Sequence, residues 1–226
     1  MLLIDTALIL YCAVAVTLTA NELKKYIKFT RVKESEYTLK LGYNILHIPI
    51  IVDMKKMPHL LIVGLSNSGK SKIAEYALRG KDCILLNTFR DDYKSIKGRR
   101  IVGNDKILRY LQNTLSNIYY RDKPFFILID EILVLSKDKK INTAIQDLLS
   151  IARHYNIFLI CISQAGQKEC VSYKHLFNCR LCMRMVNSAD YSVVLGVTPQ
   201  NTNLVQRQFY LLSDDLYKGT SYLLKD

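Results

Sequence analysis

The chain reads as an α/β domain built on a mainly parallel sheet. Two observations predict this: near-continuous apolar runs of strand length, and, between them, apolar residues that recur at helical spacing. A strand that is apolar at every position has to be covered on both faces, as parallel strands are. A third observation agrees with them: 50% of the 226 residues are hydrophobic, and only 9 Gly and 4 Pro interrupt them. That is ample material for a buried core, and it excludes disordered, collagenous and linker-rich classes.

Taken in order, the first element is apolar and long. Residues 2–20, LLIDTALILYCAVAVTLTA, hold fifteen apolar side chains among nineteen and a single charge, Asp5. As a helix they would extend roughly 28 Å, just enough to cross the hydrocarbon layer of a bilayer. No Lys or Arg precedes the run, unlike a secretory signal, and Lys24, Lys25, Lys28, Arg31 and Lys33 follow it. The positive-inside rule then places the N-terminus outside and the remainder in the cytoplasm, as a single-pass protein of the cell membrane. The expected organisation is a transmembrane or membrane-anchoring helix over 1–20, a basic cytoplasmic linker over 21–39, and one folded domain over 40–226. A buried or interfacial helix is the other reading of residues 2–20.

From residue 48 strand and helix signals alternate. IPIIV (48–52), LLIVG (60–64), CILLN (83–87), FFILID (125–130), IFLICI (157–162) and NCRLCMRMV (178–186) read as strands. Ile107, Leu111, Leu115 and Ile118 predict one amphipathic helix, and Ile141, Ile145, Leu148 and Ala152 another. The tail after residue 195 reads as a closing strand without a motif.

The chemistry begins between the second strand and its helix. Gly64-Leu65-Ser66-Asn67-Ser68-Gly69-Lys70-Ser71 matches G-x-x-x-x-G-K-[ST] at every position, in the strand–loop–helix context the pattern needs. Glycines let the backbone turn tightly, so that successive amides face the phosphates of ATP at a helix N-terminus. Lys70 would set its ammonium against the β- and γ-phosphates, and Ser71 would ligate Mg²⁺. The strand FFILI delivers Asp130 beside this loop, where it would hold Mg²⁺ through water, and Glu131 is placed as the base that polarises the attacking water. An acidic helix cap is the plainer role for these two acids. IFLICI ends in Ser163-Gln164, and an amide at that tip can bond the γ-phosphate or the water and so report the nucleotide state.

Basic residues outnumber acidic ones by 32 to 20, a formal net charge of +12. The excess lies in mid-chain, thirteen against six over residues 61–124, and it suits a polyanion or an anionic membrane face. Of the six cysteines, Cys179 and Cys182 have a C-x-x-C spacing, but three residues apart on a strand they point to opposite faces and cannot easily share a metal. The cysteines read as reduced and structural.

Several runs now carry a family resemblance. Pro49-Ile-Ile-Val-Asp53, Lys56-Met-Pro-His-Leu-Leu61 and the GLSNSGKS loop look like the FtsK/SpoIIIE family of DNA-translocating ATPases, within the wider FtsK–HerA superfamily. Arg153-His-Tyr-Asn-Ile-Phe-Leu-Ile-Cys-Ile-Ser-Gln164 and Asn178-Cys-Arg180-Leu resemble the family's later segments, so the likeness spans roughly residues 40–190. It implies a RecA-like P-loop core, ATP and Mg²⁺ as cofactors, DNA as track, and a homo-hexameric ring with nucleotide between subunits. By the same resemblance Arg153 is the candidate finger into a neighbour's site, with Arg180 a second candidate. Lys137, Lys139 and Lys140 fall where the family's channel-facing loop lies and would grip the phosphate backbone. A salt-bridged helix end for Arg153 and an exposed turn for SKDKK are the plain alternatives. Ala165-Gly166 stands where the family has Arg-Pro. No winged-helix segment or large helical subdomain is recognisable, so the expected machine is a minimal motor.

The expected function is a membrane-anchored ATPase that moves DNA in conjugative transfer or in plasmid or chromosome translocation, with a relaxase, secretion or capsid component as partner. Viral genome packaging or filamentous-phage extrusion is the alternative with the same chemistry. A nucleotide-binding membrane adaptor without motor activity is the alternative of another class, and Glu131 with Gln164 argues against it.

Overall fold

The computed structural model describes residues 27, 29, 32–88, 92–164 and 173–223. The span read as a membrane helix, residues 2–20, lies outside the described residues, as do Lys24, Lys25, Lys28, Arg31 and Ala165-Gly166. Among the described residues no helix is long and apolar enough to cross a membrane.

The strands are β1 (Thr38–Tyr43), β2 (Pro49–Asp53), β3 (Leu60–Val63), β4 (Cys83–Leu86), β5 (Arg99–Ile101), β6 (Phe125–Ile129), β7 (Ile157–Ser163), β8 (Cys179–Cys182), β9 (Gln208–Leu212) and β10 (Leu216–Thr220). The helices are α1 (Lys70–Leu78), α2 (Asn104–Ser116), α3 (Ile132–Ser136), α4 (Lys139–Ile151) and α5 (Ser188–Leu195). All ten strands form one sheet, in the order β2-β1-β10-β9-β8-β3-β7-β6-β4-β5. From β8 to β5 every pairing is parallel, and from β2 to the β9–β8 pairing every one is antiparallel.

The apolar runs explain the parallel half. β3, β4 and β7 are buried at every position, as strands covered on both faces must be. Alternate residues enter two separate cores. Leu61 and Val63 pack with the inward faces of α2, α3, α4 and α5, while Leu60 and Ile62 pack with Ile73, Ala74, Ala77 and Leu78 of α1. Cys179 and Cys182 fall on opposite sides in the same way, one in each core, so the C-x-x-C spacing brings no two thiols together.

The KMPHLL run acts as a clamp on the strand starts. Buried His59 accepts the Leu159 amide on Nδ1 at 3.0 Å, and its carbonyl accepts the Cys179 amide at 3.2 Å. Pro58 O accepts the Asn178 amide at 3.2 Å. One short segment therefore sets the register of β3 against both its neighbours. Burial holds the His59 imidazole down at about 4, so the ring stays neutral and able to accept.

Three expectations need correction. The strand read over 178–186 ends at Cys182, because from Leu65 onward the phosphate loop takes the next carbonyl, that of Arg184, at 2.9 Å. The helix read through Ile118 ends at Ser116, and the one read through Ala152 passes into a tighter 3-10 turn, Ala152–Tyr155. The single closing strand is a hairpin, β9–β10, turning at Asp214-Asp215 and joining β8 to β1.

Candidate active site

The site assembles where β3, β6 and β7 end side by side, at the carboxyl edge of the parallel strands. After β3 the chain runs through Gly64, Leu65, Ser66, Asn67, Ser68 and Gly69 and enters α1 at Lys70 and Ser71. A Cβ on Gly64 would stand 2.8 Å from Ser68 Oγ and 2.9 Å from Met183 Cβ, so only glycine fits there. Gly69, the N-cap of α1, has φ 107, a left-handed conformation costly for any side chain. No side chain caps α1, and a helix start without a cap is suited to an anion.

Lys70 is buried in this turn. Its Nζ donates to Gly64 O at 2.9 Å and to Leu65 O at 2.8 Å. Burial lowers its pKa from the ordinary lysine value, while the Glu131 and Asp130 charges act to raise it. An ammonium held on two neutral carbonyls, with carboxylates near, is a group to which phosphate oxygens would be better acceptors.

The strand β6 delivers the acids. The Asp130 amide donates to Leu86 O at 3.0 Å, and its carbonyl accepts from Asn87 Nδ2 at 3.2 Å, so the end of β4 fixes it. Burial raises the Asp130 carboxyl to about 6; contact with Tyr93 works the other way, and the Glu131 charge adds to the rise. Buried Tyr93 stands beside both Ser71 and Asp130, with its hydroxyl making no hydrogen bond of good geometry. Burial and then the Asp130 charge push that phenol up, so it stays neutral. The Ser71 hydroxyl and the Asp130 carboxylate around one under-bonded polar atom form an all-oxygen donor set that fits Mg²⁺.

Glu131 occupies the N-cap position of α3 with φ 52 and ψ 57, yet its side chain makes no cap hydrogen bond. The plain helix-cap role is therefore not what this carboxylate performs. Its Oε2 accepts from Gln164 Nε2 at 2.6 Å, and Gln164 Oε1 accepts from Ser66 Oγ at 3.1 Å. Glu131, the strand-tip amide of Gln164 and the phosphate loop are thus joined in one hydrogen-bonded chain from β6 through β7 to β3.

Residues 26–75 match the FtsK/SpoIIIE family model. The chain is 41% identical over 59 residues to the DNA translocase FtsK of Pseudomonas putida, which covers 23% of this chain and 7% of that protein. It is 57% identical over 37 residues to the DNA translocase FtsK of Helicobacter pylori, covering 16% and 4% respectively. The chain therefore spans only a small part of the length of these relatives. Across 89% of its length it has the fold of the pCW3 conjugation coupling protein TcpA, solved in monomer form with ATPγS, at TM-score 0.71 and 19% identity over 69% of that chain. Over residues 26–75, which include the whole phosphate loop, this chain is similar to the FtsK/SpoIIIE family.

At the phosphate loop, eleven of the residues read from the sequence converge: Gly64 to Ser71, Asp130, Glu131 and Gln164. Arg153 does not join them within one chain. It is exposed on the turn before β7, beside His59, at the opposite end of the strand from Gln164. Seven strand residues at about 3.3 Å each separate the two by roughly 20 Å. Arg180 is tied to its own chain, donating to Val194 O at the end of α5 at 3.0 Å. Lys137, Lys139 and Lys140 are exposed at the corner between α3 and α4, where Asp138 caps α4 by accepting the Lys140 amide at 2.9 Å.

Sequence reasoning missed three groups. Tyr93 reaches the corner between Ser71 and Asp130 from the β4–β5 connection. Gln206 Nε2 donates to Asn67 O at 3.4 Å and the Arg207 amide to Ser68 O at 3.3 Å, so the segment before β9 braces the phosphate loop. A concave surface of about 830 Å³ between β5 and α2 is lined by Arg99, Arg100, Lys106 and Arg109. The sequence carries its signal only as the mid-chain charge excess.

Proposed function

We propose that this ATPase uses hydrolysis to move DNA, as a membrane-anchored motor in conjugative transfer or in plasmid or chromosome translocation. The observation that carries the reading is the Ser66–Gln164–Glu131 chain. A nucleotide binder without turnover needs no carboxylate there, and no amide that holds the carboxylate against the phosphate loop.

The mechanism follows from the residues in place. The amides of Gly64–Ser71 bind the triphosphate, and Lys70 releases two loop carbonyls to neutralise its β- and γ-oxygens. Ser71 and Asp130 would hold Mg²⁺, which would screen the phosphate charge. Glu131 orients a water and takes its proton, and Gln164, bonded to Glu131, transmits the filling of the γ-position to β7. Arg153 completes the site of the next subunit in a homo-hexameric ring. Lys137, Lys139 and Lys140, with the arginine-lined cavity beside β5, are the cationic surfaces for the DNA backbone. Residues 2–20 hold the motor at the cell membrane, with the ATPase domain in the cytoplasm.

The test is ATP turnover by the full chain in lipid vesicles, with and without duplex and single-stranded DNA. Stimulation by either DNA is expected. Unstimulated hydrolysis with the ring assembled would remove the motor reading, and DNA-stimulated activity that floats with vesicles only when residues 2–20 are present supports the anchor.

A further inference from the structure

The cationic cavity between β5 and α2 backs directly onto the mounting of Asp130. β5 is the last strand of the sheet, so the cavity is a groove open at the sheet edge. Arg99 comes from the strand, and Lys106 and Arg109, three residues apart, come from one face of the helix. No carboxylate lines the groove, and among the described residues these three side chains enter no ion pair. Unpaired cations on both walls of an open groove suit a run of phosphates, as in a nucleic-acid backbone.

Arg100 lines the same groove and also reaches inward. Its Nη1 donates to Thr88 Oγ1 at 3.2 Å, and its Nη2 to Tyr93 O at 2.9 Å. The Ile96 amide shares that carbonyl at 3.0 Å. Tyr93 holds a φ of 55, a left-handed conformation costly for a bulky residue, so its backbone depends on the bonds that fix it. Its buried ring stands beside Ser71 and Asp130. A second connection runs alongside: the Asn87 amide donates to Ile101 O of β5 at 2.9 Å, and Asn87 Nδ2 donates to Asp130 O at 3.2 Å. Phosphate oxygens are stronger acceptors than the hydroxyl and the main-chain oxygen to which Arg100 donates. A phosphate in the groove therefore competes for Arg100, and drawing the guanidinium away loosens Tyr93 where it adjoins Asp130.

We infer that this groove binds a nucleic-acid phosphate backbone, and that Arg100, as a positioning residue, reports its occupancy to the nucleotide site through Tyr93. The site rests on the reading of this surface as a DNA contact, and the coupling adds its regulation.

The experiment measures equilibria on the full chain: the affinity of a fluorescein-labelled oligonucleotide, duplex or single-stranded, with and without ATPγS and at several salt concentrations. In the wild type ATPγS is expected to change the DNA affinity about fivefold or more, and by linkage DNA changes the ATPγS affinity by the same factor. Arg99→Glu combined with Arg109→Glu should weaken nucleotide-free DNA binding more than about 10-fold and lower the salt slope by about two. Arg100→Gln should bring the coupling factor below about twofold. Coupling is the readout because an arginine that only touches DNA lowers the affinity alike in both nucleotide states. Tyr93→Phe keeps the ring, removes the hydroxyl beside Ser71 and Asp130, and should lose the coupling in the same way. It decides the matter if thermal unfolding shows that Arg100→Gln does not fold. Variants of Arg100 and Tyr93 that keep the wild-type coupling factor overturn the relay, and an unchanged affinity and salt slope in the double variant overturns the groove. A wild type that binds DNA equally with and without ATPγS also overturns the relay, and leaves the DNA reading standing. A wild type that binds ATPγS and neither form of DNA removes the DNA reading itself, and the groove with it.

Discussion

Gln164 Nε2 donates to Glu131 Oε2 at 2.6 Å while Glu131 makes no cap bond to its own helix, so the carboxylate is aimed by β7. Replacing it by its amide keeps the size and removes the carboxylate that would act as base. Glu131→Gln is expected to leave nucleotide affinity within about threefold and to lower turnover by about 10²–10⁴. Steady-state hydrolysis beside an equilibrium binding titration checks this. Turnover that survives would show that another group takes the proton.

Gln164 has a separate expectation. Its two bonds run to the loop and to the base, and neither involves the groups that hold the phosphates in place. Gln164→Ala should lower kcat by about 10² and leave KM nearly unchanged. A rise in KM with kcat intact would make Gln164 a binding residue and end its role as a reporter.

Lys70 donates to Gly64 O and Leu65 O, and Leu65 O also accepts the Ser68 amide at 3.2 Å, so removing the ammonium costs the free protein roughly one buried hydrogen bond, about 1 kcal/mol. The bound state loses much more. ATP at 100 times its Kd stabilises a protein by about 2.7 kcal/mol, which raises Tm by several degrees in a domain of this size. Lys70→Ala should keep the unliganded Tm within a few degrees and lose most of that shift. Thermal unfolding with and without MgATP measures both quantities.

The parts of this site that the sequence makes plain are those encoded locally. Gly64 to Ser71 is one uninterrupted loop whose spacing carries its geometry, and Asp130-Glu131 follows an apolar strand that can only be central. Other parts depend on distant pairings. Gln206 meets the loop at Asn67 across a separation of 139 residues, by a side-chain bond to a main-chain carbonyl that constrains no spacing. Tyr93 arrives from an irregular connection and looks, in sequence, like any core tyrosine. The β9–β10 hairpin was hidden for the same reason: QFYLL and LYKGT acquire a partner only once β8 and β1 are in place.

His59 ties stability to pH. Its imidazole sits at about 4 in the folded chain against 6.5 when exposed, because burial disfavours the charged ring. Between those values the unfolded chain binds the extra proton, so stability rises with pH across the window and falls as pH drops from about 6.5 towards 4. The full gap corresponds to roughly 3 kcal/mol. His59→Asn keeps an acceptor for the Leu159 amide, tolerates the φ of 64, and does not titrate. Urea midpoints at neutral and mildly acidic pH should show a smaller acid loss in this variant than in the parent. An equal loss would assign the pH dependence to other groups.

As the proposed finger, Arg153 makes the sharpest demand on assembly: it lies at the far end of β7 from Gln164 and would serve a nucleotide only on another copy of the chain. Arg153→Ala should bind ATP normally and lose about 10³ or more in turnover, the worth of an arginine finger. Glu131→Gln should be inactive for the complementary reason. Mixing the two restores one kind of complete site: a subunit with Glu131 but no Arg153, next to a subunit that supplies Arg153 and lacks Glu131. Mixed rings are therefore expected to regain a measurable fraction of parental hydrolysis, largest near equal proportions and absent from either variant alone. An arginine that acted only within its own chain would leave every mixture inactive, because no subunit in it would carry both groups.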